Sequence, residues 1–401
     1  MRELAWEQVW VNHDRKQFRQ AKQMDFFQLA RANLGLHSTN YWTPYISAWA
    51  RLGDYDAASI YASLNAGKAI TRMNAFRTTL HIVSNKDLLL ITSATGPRLF
   101  KAVRQGPELR HMTDTQIEQR LTRFLGVLEK EPLSMQEMKA KAPSIAKHSR
   151  SLLWLAMARG SVVRANATHA RNTICKYALT EKWVTDLEGE MIPEEEAVAA
   201  IFRRYVAAFG PVAPDDFAWW LPATKATVKH LIAAAGDDVQ PCLVNGTIKY
   251  MFRDDLEIAL SSEKKEDKRA LFLPYEDHFP KAYADRSWYT SDDIRPKVFP
   301  RSPQAFWPQG AKPKKAMSDT GESTANASGE IRPSIWVDGR IVGRWEMDES
   351  DKRVRIVYSL FGSLPAETTR AIASEHSRLE EFVNTQLMPI SSSRKQSSPE
   401  G

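Results

Sequence analysis

Along this 401-residue chain the spacing of apolar residues switches in the same order three times, from helical stretches to a pair of short alternating ones. In the first unit KQMDFFQLARANLGL, TPYISAWARL and DAASIYASLN carry helical spacing, and KAITRM and FRTTLHIV then alternate like paired strands. The second unit opens with TDTQIEQRLTRFLGVL, followed by SMQEMKAKAP behind a cap at Ser134 and SRSLLWLAMARG ending at Gly160. SVVRANATHARNTICKYALT then reads as strand, loop, strand. In the third, PEEEAVAAIFRRYVAAFG has acids in its first turn and Gly210 as a stop, and PVAPDDFAWWL and KATVKHLIAAAG follow. VQPCLV and TIKYMF flank Asn245-Gly246, which suits a two-residue type I′ turn.

A helix pair followed by a two-stranded wing is the plan of a winged helix-turn-helix, so three such units in tandem are expected over 1–110, 111–190 and 191–262. The rest differs in texture. ALFLPYEDHF and KVFPRS hold short apolar runs of strand type, and RPSIWVDGRIVGRWEMDESDKRVRIVYSLFG reads as a three-stranded meander with a turn at Asp338-Gly339. Residues 309–330 are poor in apolar side chains and read as a flexible insertion. ETTRAIASEHSRLEEFVNTQL is a last amphipathic helix before a polar tail over 391–401. The expected fold class is mainly α (α+β), with a C-terminal β-rich, barrel-like domain over 263–390.

Charge narrows the function. Residues 1–182 carry 27 Lys/Arg against 14 Asp/Glu, whereas the remainder carries 28 against 34. Such asymmetry points to an anionic partner for the N-terminal half. Between Met138 and Thr180 there is no acid, yet Lys139, Lys141, Lys147, Arg150, Arg159, Arg164, Arg171 and Lys176 all fall there. A phosphate-binding surface needs cations without neighbouring carboxylates, because its affinity comes from counterion release. A solvated basic face is the alternative reading. Cys175 and Cys242 form no CxxC pair, so no disulfide framework or cysteine metal site is expected, and a reducing, cytoplasmic setting follows. MRELAWEQVWVNHDRKQ lacks the apolar core of a secretory signal, and no apolar run reaches the roughly 18–20 residues of a membrane helix.

Several ordered blocks resemble the bacterial winged-helix DNA glycosylases typified by AlkZ and YcaQ. LGLHSTNYWTPYISAWAR, with Pro44, Tyr45, Trp49 and Arg51, resembles the segment that carries that family's catalytic motif. FRTTLHIVSNKDL resembles its arginine-threonine-leucine-histidine strand, placing Arg77, Thr79 and His81. RYVAAFGPVAPDDFAWW, LFLPYEDHF with Asp285-Arg286, and RPSIWVDGRIVGRW resemble later blocks. The resemblance implies a concave cradle for double-stranded DNA and excision of alkylated or crosslinked purines by a monomer without metal or nucleotide cofactor. It also implies a catalytic motif of glutamine, any residue, then glutamine or aspartate. Here those positions are His37 and Thr39, around Ser38.

Hydrolysing the glycosidic bond of a damaged purine requires a positioned water and stabilisation of positive charge developing on the sugar. A neutral His37 can polarise water, whereas Thr39 can hold a water but supplies no negative charge. The two readings that follow are a glycosylase with an altered motif and a non-catalytic DNA-binding protein, a damage sensor or regulator. A module for protein contacts is a third class. His37, just past a helix end, also reads as a cap on backbone carbonyls. Tyr41 and Trp42 are placed to stack on an extruded base or to pack. Arg51 and Arg77 suit phosphate contacts, as do Lys147, Arg150, Arg164 and Arg171, or else Arg51 and Arg77 pair with acids such as Asp54 or Asp56. Trp154, Trp219 and Trp220 read as core, His81 as a structural histidine, and Glu276-Asp277-His278 as a weak metal signal.

Overall fold

The turn chemistry sets the hairpins. Asn245 (φ +49°) and Gly246 (+71°) both take left-handed backbone, as a type I′ turn demands, and join Val239–Val244 to Thr247–Phe252. Asp338 (+47°) and Gly339 (+74°) do the same between Ser334–Val337 and Arg340–Asp348. Helix starts follow the caps: Thr113 accepts from Gln116 N ahead of Asp114–Val127, and Ser134 accepts from Glu137 N ahead of Met135–Lys141. The third unit's helices lie at Glu194–Phe209, Pro214–Trp220 and Lys225–Ala235. This computed structural model describes residues 1–53, 55–167, 175–262, 269–299, 330–349 and 353–392. Arg171, Asp54, the tail from residue 393 and residues 309–329 of the insertion lie outside them.

Three helix sets are each followed by a hairpin, but the hairpins are not separate modules. Ile70–Ala75 and Thr79–Ser84 share one five-stranded antiparallel sheet with Val162–Ala167 and Cys175–Leu179, joined where Arg72 faces Arg164. The short strand Leu36–His37 forms its far edge, pairing with Ile82 and His81. The third hairpin is extended by the chain's own start, Arg2–Leu4, which runs parallel to Cys242–Val244. The helix Trp6–Asp14 that follows was not anticipated, and the expected first helix is confined to Phe26–Ala32 behind its Asp25 cap.

The expected barrel is not formed. Ala270–Leu273, Ser334–Val337, Arg340–Asp348 and Arg355–Leu360 make an open four-stranded antiparallel sheet with two free edges among the described residues. Four strands are too few to close a barrel around packed side chains. The helix Ala366–Phe382 covers the sheet instead, burying Ile372, Leu379 and Phe382 against Phe272, Ile335, Trp345 and Ile356. A second, aromatic core gathers Phe76, Tyr205, Phe209, Phe217 and Trp220 with Phe279, Tyr283, Trp288 and Trp336. It thus ties the third helix set to the C-terminal segment.

Candidate active site

His37 is positioned by a helix stop. The helix Phe26–Ala32 ends through Leu34 (φ +58°) and Gly35 (+107°), with Gly35 N–H bonded to Ala30 O at 2.7 Å. The chain then enters the sheet edge, and Ser38 N–H donates to Leu80 O at 2.7 Å. A Cβ on Gly35 would meet Val83 Cγ1 at 2.9 Å and Ile82 O at 3.1 Å, so glycine is required for both conformation and space. His37 is 2 % exposed, and neither ring nitrogen has a hydrogen-bond partner among the described residues. It therefore caps no carbonyl.

From the other side comes the segment Tyr275–His278. The helix Thr43–Trp49 and the residues just after it offer one face to this segment, at i, i+4 and i+8. Thr43 Oγ1 donates to Tyr275 O (2.6 Å), Ser47 Oγ to Asp277 Oδ2 (2.6 Å), and Arg51 to both Asp277 oxygens (2.7 and 2.9 Å). Glu276 is held at φ +59°, with its N–H bonded to Ile331 O and its Oε1 accepting from Ile331 N–H at 2.9 Å. Its Oε2 accepts from Lys281 Nζ at 2.7 Å and approaches His37 Nε2 to 3.4 Å. That approach lacks hydrogen-bond alignment, so it is a contact of a carboxylate with an unbonded imidazole rather than an ion pair.

These groups surround a cavity of about 170 Å³ lined by His37, His81, His278, Arg77, Lys281 and the aromatic walls Phe76, Trp219 and Trp220, among others. Burial pushes the His37 imidazole well below its usual 6.5, with Lys281, His81 and His278 adding to the shift. Burial likewise takes His81 down to about 4, although Thr79 O opposes the shift, and His278 to about 3, with Arg51 assisting. All three are neutral at pH 7. For Asp277 burial acts upward, and the Arg51 guanidinium beside it holds the carboxyl down at about 2.

Several expected residues lie elsewhere. Thr39 is exposed and does not line the cavity. Trp42 is 5 % exposed and packs with Phe26, Tyr45 and Ile46, and Tyr41 stands edge-on to it at 4.4 Å, so Trp42 offers no open face for a base. Arg51 is fully buried on Asp277, which leaves it no surface for a phosphate, while Asp56 caps the helix Ala57–Ala66 instead. Arg164 is turned into the sheet, donating to Cys175 Sγ (3.2 Å), Tyr177 OH (3.4 Å) and Asn74 Oδ1 (3.3 Å). Arg77 does border the cavity, its guanidinium 4.5 Å over Trp219. Lys147 and Arg150 are exposed, and neither forms an ion pair with a described residue. Trp220 is core, as expected, and its edge also lines the cavity, while the half-buried Trp219 is a cavity wall. The missed participants are Lys281, Trp219 and, in its true setting, Glu276. The three adjacent ionisable residues Glu276-Asp277-His278 behind the apolar run ALFLPY were the trace of Glu276 in the sequence.

No helix among the described residues is long and apolar enough to cross a membrane. No curated protein matches this chain. A solved structure, the Streptomyces sahachiroi DNA glycosylase AlkZ, superposes with a TM-score of 0.73 at 17 % identity, covering 94 % of this chain and 97 % of that one. That likeness shows the fold. The AlkZ-like DNA glycosylase family matches residues 30–382, most of the chain, and the chain therefore belongs to the AlkZ-like DNA glycosylase family.

Proposed function

We propose that this protein is a monofunctional DNA glycosylase that hydrolyses the N-glycosidic bond of alkylated or crosslinked purines in double-stranded DNA, with His37 as the general base. One observation carries the reading. A neutral imidazole with both ring nitrogens unbonded lines a cavity walled by aromatic rings, at the position where the family's motif begins. A buried polar side chain left without a partner is costly, and such groups persist where a ligand completes them. In the proposed step the C1′–N bond breaks and its electron pair leaves with the base. A water oxygen bonds to C1′, and the water proton passes to His37. A weakly basic imidazole suffices, because a water bonding to an electron-poor C1′ becomes strongly acidic. Trp219, half-buried in the cavity wall, supplies an apolar face for an extruded base.

DNA would lie against the second helix set, where Lys147 and Arg150 are exposed, and the three helix–hairpin sets would act as winged helices. No metal or nucleotide is required by this chemistry. The test is abasic-site formation on a duplex with one N7-methylguanine, and on bulkier and crosslinked duplexes, read by alkaline strand cleavage. Wild type is expected to cleave, His37→Ala to lose about 10²–10⁴-fold, and His37→Gln, which restores the family's residue, to retain cleavage. Tight duplex binding with no cleavage of any lesion by wild type would establish instead a non-catalytic damage sensor or regulator.

A further inference from the structure

The family's motif ends in a residue whose oxygen serves the reacting centre, and here that position is Thr39, which is exposed and outside the cavity. We propose that Glu276, delivered by the C-terminal segment, takes over this electrostatic role as the positioning residue for His37. This rests on the glycosylase reading for its chemistry, though not for its geometry.

Three independent features single out Glu276. Its carboxylate is 4 % exposed yet lies 3.4 Å from an imidazole nitrogen with no hydrogen-bond partner. Its backbone sits at φ +59°, a left-handed conformation that a residue with a β-carbon rarely adopts and that survives where the surroundings enforce it. Its environment does enforce it: Ile331 closes a two-way backbone and side-chain clasp, and the neighbouring Asp277 is anchored by Ser47 and Arg51. The Ile331 clasp on the backbone and on Oε1 thus leaves Oε2 beside His37, where Lys281 shares it.

A carboxylate beside Nε2 favours the tautomer with the proton on Nε2, leaving the Nδ1 lone pair to accept a proton. When water attacks C1′ and its proton reaches Nδ1, the imidazolium formed faces an anion rather than an apolar wall. The carboxylate takes up no proton in the step, as in the orienting role of the third member of a catalytic triad. Burial keeps the imidazole neutral before the reaction, and Lys281, on the same carboxylate oxygen, adds to that. Glu276 touches no position open to substrate; it acts through His37.

The experiment pairs nitrogen NMR of the imidazoles with single-turnover excision for wild type, Glu276→Gln, His37→Ala and the double variant. Glu276→Gln keeps an acceptor for Ile331 N–H and removes only charge. His37 is expected to carry its proton on Nε2 in wild type and to shift towards a mixed tautomer in Glu276→Gln. The excision rate should fall roughly 10²-fold with duplex affinity unchanged, and adding Glu276→Gln to His37→Ala should cost nothing further. An unmoved tautomer, or a loss that adds to that of His37→Ala, overturns the proposal. Should Glu276→Gln fail to fold, Glu276→Asp, which keeps the charge but withdraws it from the imidazole by one methylene, reads the same coupling: a mixed His37 tautomer is expected, and an unmoved one overturns the proposal equally. A wild type that excises nothing while Glu276→Gln still moves the tautomer leaves the dyad standing and refutes the glycosylase reading alone.

Discussion

Arg51 and Asp277 form a two-pronged ion pair, at 2.7 and 2.9 Å, with neither side chain exposed to solvent. It fastens the end of the helix Thr43–Trp49, which follows the His37 strand, to the C-terminal segment bearing Glu276 and His278. Removing one partner strands a buried charge, which costs about 3–5 kcal/mol. Arg51→Ala and Asp277→Ala should each lower the unfolding free energy read from urea denaturation by that much, and the double variant should lose less than the sum. Additive losses would mean the pair is not coupled.

Stability should decline below neutrality. His13, His81 and His278 are held at about 3, 4 and 3, chiefly by burial, and His37 well below 6.5. Unfolded, each takes up a proton near pH 6.5, while the folded protein resists until much lower pH. Their contribution is therefore full above about 6.5 and is lost as pH falls towards 4, by up to roughly 1.4 kcal/mol per histidine per pH unit. Asp277 adds a loss of the same sign lower down, as pH falls from its ordinary value towards about 2. Urea midpoints at pH 7, 6 and 5 test this; a flat series would contradict neutral burial of the histidines.

The excision rate should show no His37-dependent fall near pH 6.5, because burial holds the imidazole's pKa well below that. A rate that falls off with an apparent pKa near 6.5 would mean that His37 titrates as an open histidine.

Lys147→Gln with Arg150→Gln should weaken duplex binding evenly across sequences and reduce the log–log salt slope by about 2, one phosphate contact for each residue. Both side chains are exposed, so the melting temperature should not move. An unchanged slope would place the DNA elsewhere.

Gly35→Ala should destabilise by about 1–3 kcal/mol, since it forces a β-carbon against Val83 and Ile82 O at positive φ. Because Gly35 delivers His37, excision should fall more than stability accounts for. Wild-type excision in a folded Gly35→Ala protein would detach His37's position from the turn.

What was legible in the sequence was local. The caps at Thr113 and Ser134, the turns at Asn245-Gly246 and Asp338-Gly339 and the helix stops at Gly160 and Gly210 act within a few residues, and the elements lie where those signals put them. The blocks resembling the glycosylases were legible for the same reason, being continuous in the chain.

Charge and the site were not local. The acid-free run from Met138 to Thr180 is not acid-free in space: Lys141 pairs with Glu131, Arg159 with Glu118 and Lys176 with Glu137, at 2.6, 2.5 and 3.9 Å. Exposed Lys147 and Arg150 are left outside these pairings. Likewise Thr39 is two residues from His37 yet points to solvent, while Glu276, more than half the chain away, lies 3.4 Å from its ring. By itself the sequence determined the capped helices, the hairpin turns and the family, because capping and turn geometry are properties of neighbouring residues, whereas the uncapped helix Trp6–Asp14 gave no such signal. Only the tertiary structure decided which charges are neutralised and which carboxylate meets His37. Those depend on Coulomb and hydrogen-bond contacts, which fall off within a few ångströms and are made between segments that only folding brings together.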